Sequence, residues 1–178
     1  MHEHILSFWF SEIEPKNWWT ADPAFDAIIR KRFQSTLEQA AHCELYTWRQ
    51  TPQGRLAEII VLDQFSRNIY RNTPQAFAND AQALTLAQEA VALGVLESLQ
   101  SEERAFLLLP YMHSESPRIH AVAEPLFKAW TPTGNYDFEL RHKAIIDRFG
   151  RYPHRNLILG RDSSPEEIEF LRQPGSSF

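Results

Sequence analysis

The sequence predicts an all-α fold of antiparallel helix pairs, with about six to eight short helices closed into one domain over residues 1–178. Three observations predict it. Apolar residues recur at three- and four-residue steps along most of the chain. Helix-starting signals (Ser, Thr, Asp or Asn, followed by Pro or acids) precede these stretches repeatedly. No stretch alternates apolar and polar residues between hairpin turns, as paired strands do.

The elements are taken in chain order. "PKNWWTADP" reads as a loop, whose Trp18 and Trp19 either close over the core, the default expectation, or expose an apolar platform. Asp22 is a natural N-cap and Pro23 fits the first helical position. After them Phe25, Ile28, Ile29, Phe33, Leu37 and Ala40 form one stripe. Thr51-Pro52 repeats the start signal before "LAEIIVLDQFSRNIYR", whose "IIVL" is apolar nearly all round and marks a buried helix. Asn79 or Asp80 opens "AQALTLAQEAVAL", and Gly94 ends it. Small residues at helical steps there suggest a close helix hairpin, and helix pairs in series suggest an α-solenoid-like arrangement. Ser101 caps "EERAFLLLPYM", with two acids in the first turn where the helix dipole favours them. Ser116-Pro117 opens "RIHAVAEPLFKAW", which Pro125 should kink. Asn135 opens a helix ending at Phe149 before Gly150, and Ser164-Pro165-Glu166-Glu167 is a capping box for a last short one.

Composition excludes several classes. Hydrophobic residues at 43% and charged residues at 23% suit a globular core rather than a disordered chain. A formal net charge of -5 argues against nucleic acid, which needs a broad basic face. The longest apolar runs fall far short of the ~18 residues of a membrane helix, and the start has no basic n-region of a signal peptide. The single Cys43 suits a reducing compartment, and the expected setting is the cytoplasm.

Three strings carry unusual polar chemistry. In "LDQFSRNIYR", Asp63, Arg67 and Arg71 recur at i, i+4 and i+8, with Gln64 and Asn68 in the adjacent row. Asp63 should be buried and paired by Arg67. Arg67, Asn68 and Arg71 then either fix helix packing or present donors to a ligand. In "LPYMHSES", His113 and Glu115 flank a helix junction, where they either lie exposed or converge at a pocket rim as an acid/base pair. From Arg141 to Arg161 the chain holds five arginines and one lysine against one acid, Asp147. His142 falls on the buried stripe of its helix. Pro153 biases Tyr152 to extended geometry, so Arg151, His154, Arg155 and Asn156 lie on a connection, where functional groups are commonly displayed. Arginine outnumbers lysine fourteen to four, and its planar fork favours carboxylate or phosphate. The competing expectation pairs these arginines with Glu102, Glu103, Glu166, Glu167 or Glu169. No nucleophile elbow, P-loop or dinucleotide fingerprint is present. A metal held by His113, Glu115, His142 and His154 would need separate segments to converge, so no metal or cofactor is expected.

With "ILSFWF", "LDQFSRNIYR", "LPYMHSES" and "RFGRYPHRNLILGR" followed by "SSPEE", the chain resembles the bacterial family known as domain of unknown function 924 over nearly its whole length. "SPRIHAVAEP" departs from the family pattern, which usually carries a further acid and a glutamine after "HSE". The resemblance implies a tetratricopeptide-like helical fold and no particular activity. The leading functional expectation is a binding module without catalysis. Arg67, Asn68, Arg71, His113, Glu115, His142, Arg148, Arg151, His154, Asn156 and Arg161 would line a groove for a small anion or a peptide carboxylate. The alternatives are a small hydrolase or lyase using His113, Glu115 or His154 as acid/base, and a scaffold whose concave helical face holds a protein segment.

Overall fold

The computed structural model describes residues 1–177, which form helices joined by turns and include no strand. The first helix is α1 (His2–Ser7). In α2 (Pro23–Ala41) the Asp22 side chain accepts the Ala24 N–H, and in α3 (Pro52–Ile60) Thr51 accepts that of Gly54. These are the starts read from the sequence. Ile28 departs from the expected α2 stripe and is 48% exposed.

Helix α3 is the centre of the molecule. Every residue from Leu56 to Ser66 is buried, and each large apolar side chain removed from water contributes about 1.5–3 kcal/mol. The buried acid Glu58 is held by Arg49 through two bonds of 2.7 Å. Glycine is required at position 54, because a Cβ would stand 2.0 Å from the Trp48 carbonyl oxygen. Helix α3 then widens into a π-helical turn at Val61–Phe65 and continues as α4 (Ser66–Ile69). Wide turns of this kind are frequent at functional sites. This one carries Asp63 and Gln64.

The remaining helices pack successively. They are α5 (Asp80–Ala92), α6 (Ser101–Met112), α7 (Pro117–Trp130) and α8 (Thr133–Phe149), followed by α9 (Pro165–Leu171). Helix α3 contacts α1, α5 and α6, while α6 packs on α7 and α7 on α8. Some starts differ from the sequence reading. The cap of α6 is Gln100 rather than Ser101, in a capping box with Glu103. Helix α8 begins at Thr133 rather than Asn135, and α7 runs continuously through Pro125. No helix among the described residues is long and apolar enough to cross a membrane.

Candidate functional site

The end of α4, the end of α6, the face of α8 and the turn after α8 surround a cavity of about 650 Å³. It is lined by Arg67, Asn68, Arg71, His113, His142 and His154, which come from all three polar strings. Gln64, Phe77, Phe138, Tyr152 and Arg155 complete much of the wall, and Trp18 and Trp19 stand beside it. Trp18 donates to the Trp9 carbonyl at 2.9 Å, as core placement demands. Trp19 is 61% exposed, contrary to the expectation of burial, and stacks on Phe106.

At the back of the cavity sits Asp63, 1% exposed. His113 Nδ1 lies 2.7 Å from one carboxylate oxygen, Arg67 Nη1 lies 3.0 Å from the same oxygen, and Gln64 donates to the other at 2.6 Å. Burial opposes the charge on Asp63, but Arg67 and His113 hold its carboxyl well below the usual range. An ionised carboxylate only accepts, so His113 Nδ1 carries a proton and Nε2 is the nitrogen left for the cavity. Burial, then Arg67, lowers the His113 pKa although Asp63 and Asp80 raise it, so the ring is neutral at pH 7.

The arginines differ in how fully they are matched. Arg71 makes two bonds of 2.6 and 2.8 Å to Asp26, which also accepts from Asn68 at 2.8 Å. Arg67 bridges Asp63 to Asp80, reaching the latter at 2.9 and 3.0 Å. Among the described residues Arg155 makes one ion pair, a 3.4 Å contact to that same Asp80. Its side chain is 8% exposed, and its Nε has no hydrogen-bond partner among the described residues. Two rings flank it instead: Cζ lies 4.6 Å from the Phe77 centroid and 4.7 Å from that of Tyr152. Burial and Arg67 lower its pKa, as expected of a cation short of counter-charge.

Both other cavity histidines are neutral at pH 7. His142 Nδ1 donates to the Phe138 carbonyl at 2.7 Å, and burial pushes its pKa down to about 3. Burial and Arg155 push that of His154 down to about 4.

The other candidates lie outside the cavity. Glu115 does not converge with His113: it accepts from Arg161 at 2.6 and 3.0 Å and from the Tyr152 N–H at 2.8 Å. Arg161 also donates to Asn156 at 2.9 Å, and Asn156 to Ser163 at 3.0 Å. Arg151 makes bonds of 2.7 and 2.8 Å to Glu167, the acid of the α9 capping box. Arg148 is exposed and lies over Phe149 at 4.6 Å. Glu115, Arg151, Asn156 and Arg161 thus clamp the connection from outside, and the clamp holds Tyr152, His154 and Arg155 against the cavity.

Beneath that connection, His120 and Glu139 meet at 2.7 Å with no exposure, and His120 Nε2 donates to the Ser114 carbonyl at 2.9 Å. This buried pair fixes the junction after His113. Among the described residues no cluster of three or more His, Cys, Asp or Glu could hold a metal ion.

Arg155 was recognisable as a connection residue but absent from the expected set, and Asp80 was legible only as a helix start. Phe77 gives no sign in the sequence beyond its aromaticity, and Tyr152 none beyond its extended geometry before Pro153.

The chain matches the model of a family described as bacterial protein of unknown function (DUF924) over residues 5–175. A solved structure of a protein of unknown function from Agrobacterium tumefaciens is 34% identical, with a TM-score of 0.90 and 96% of each chain covered. No curated protein matches. The chain belongs to the bacterial DUF924 family.

Proposed function

We propose that the cavity binds a small organic anion, with its carboxylate or phosphate on Arg155 and its apolar body among the aromatic residues. One observation carries this reading. Arg155 is buried beside the cavity, held between two rings, with a single long contact to an acid that Arg67 already engages. A buried guanidinium is costly unless matched, so a ligand anion there recovers an interaction that the folded chain leaves incomplete. A volume of about 650 Å³ suits a metabolite-sized molecule. A peptide segment on a concave helical face is the weaker alternative, because the polar groups converge on one cavity. The tetratricopeptide-like description of the helix pairs, and a cytoplasmic setting for a chain with one cysteine, belong to the same proposal.

The test is melting with phosphate, citrate and phenylacetate. A ligand at about one hundred times its Kd stabilises by ~2.7 kcal/mol, which for a chain of this size raises the melting temperature by roughly 5–11 °C. Arg155→Gln should abolish that rise. A wild-type protein unmoved by all three anions would refute the reading.

A further inference from the structure

His113 is held as a proton-transfer group needs to be held. Asp63 fixes its Nδ1 at 2.7 Å, so ring orientation and tautomer are set, and the ring lines the cavity. A chain of polar contacts runs from that imidazole to the incompletely matched guanidinium. His113 meets Asp63 at 2.7 Å, Asp63 meets Arg67 at 3.0 Å, Arg67 meets Asp80 at 2.9 Å, and Asp80 meets Arg155 at 3.4 Å. A base and an incompletely matched cation therefore line one cavity.

We propose that this cavity hydrolyses a carboxylic ester, with His113 as general base, Arg155 receiving the carbonyl oxygen, and Asp63 as the positioning residue. This rests on the anion-site reading, since the carboxylate product is an anion that such a site would hold. The ester class comes from charge. Attack on a carbonyl develops one negative charge, and among the described residues that line the cavity Arg155 is the one arginine without an acid of its own. Arg67 is spoken for by Asp63 and Asp80, and Arg71 by Asp26. Among the described residues no serine hydroxyl is hydrogen-bonded to His113, and Ser66 is fully buried and donates to the Leu62 carbonyl at 2.6 Å. Water is therefore the nucleophile.

The step balances without a redox partner. His113 Nε2 takes a proton from water while the water oxygen bonds to the carbonyl carbon. The carbonyl electron pair moves onto oxygen, where Arg155 stabilises it. As that pair returns, the bond to the alcohol oxygen breaks, and that oxygen takes the proton from Nε2. The acid product loses its proton to solvent and leaves as a carboxylate. The neutral state of His113 at pH 7 is the one that can accept the first proton.

The experiment uses 4-nitrophenyl phenylacetate as substrate and phenylacetate as product. Wild type should release 4-nitrophenolate with saturation and with competitive inhibition by phenylacetate. His113→Gln, which can still donate to Asp63, should lower kcat by about 10²–10⁴-fold while keeping the phenylacetate melting shift. Free imidazole should restore turnover to His113→Ala. Asp63→Asn should lower kcat and move the pH at which activity falls, which loss of packing alone would not do. A circular dichroism spectrum of each variant checks folding, and the imidazole rescue decides the matter if His113→Gln is misfolded. A phenylacetate shift without turnover above that of His113→Gln would leave the anion site standing and overturn the hydrolase. Turnover unaffected by loss of His113 would overturn it as well. Neither shift nor turnover would remove both.

Discussion

Arg67 is the cation on which the back of the cavity depends, and Arg67→Ala tests that dependence. The change removes the 3.0 Å contact to Asp63 and the paired contacts to Asp80 at 2.9 and 3.0 Å. Asp80 is 21% exposed and can take up water, so its share is small. Asp63 is 1% exposed and cannot. Stripping a partner from a buried pair costs about 3–5 kcal/mol, or roughly 6–20 °C of melting temperature for a domain of this size. Urea unfolding followed by tryptophan fluorescence measures it.

The pH dependence of that loss is the sharper signature. In the wild type, burial and then Arg67 hold the His113 pKa below its ordinary value of about 6.5. As pH falls below that value, the unfolded chain binds a proton that the folded chain does not, and stability drops. Without Arg67, the stranded Asp63 carboxylate should raise the folded His113 pKa above about 6.5. The resulting stabilisation is complete below the unfolded pKa and is lost as pH rises through the folded one. The cost of Arg67→Ala should therefore shrink from about pH 8 to about pH 5. A cost below ~1 kcal/mol at the higher pH, as for an exposed pair, would refute the reasoning. So would a cost that is the same at both.

Two further predictions concern the connection and the cavity histidines. Arg151→Ala should lower stability less than Arg67→Ala does, and should leave any ligand-induced melting shift intact, because Arg151 serves Glu167 outside the cavity. Arg151 holds the Glu167 carboxyl down at about 2, so that cost should be full above about pH 4.3 and disappear as pH falls toward the folded value; a cost that persists there would argue for lost packing instead. His142 and His154, held down to about 3 and about 4, should each take roughly 1.4 kcal/mol of stability per pH unit as acidification proceeds below about pH 6.5. Urea midpoints for His154→Gln should fall less steeply with acid than those of wild type, and equal slopes would mean that His154 protonates in the folded protein.

What the sequence could reveal depended on how far a contact reaches. Asp63 and Arg67 are four apart, and their pairing was legible from helical spacing. The partners of Arg71, His113 and Arg155 lie 45, 50 and 75 residues away, beyond any local pattern. The local count stops where the helix does: α4 ends at Ile69, so Arg71 lies beyond it and pairs with Asp26. His113 and Glu115 diverge for a similar reason: helical backbone at His113 gives way to extended backbone at Ser116, so two residues close in sequence face different partners.

The division of the arginine-rich connection was nevertheless open to inference. Pro153 comes after an extended Tyr152 and begins a 3-10 turn over Pro153–Arg155. Tyr152 stands at the head of this turn, its carbonyl accepting the Arg155 N–H at 3.0 Å, and the Arg155 guanidinium lies over its ring at 4.7 Å. Arg151 still belongs to the exit from Gly150, ahead of the turn, and is drawn to the capping box of α9. Composition alone made all the bases of this stretch look alike. The position of a single proline separates the arginine placed beside the cavity from those that fasten the connection behind it.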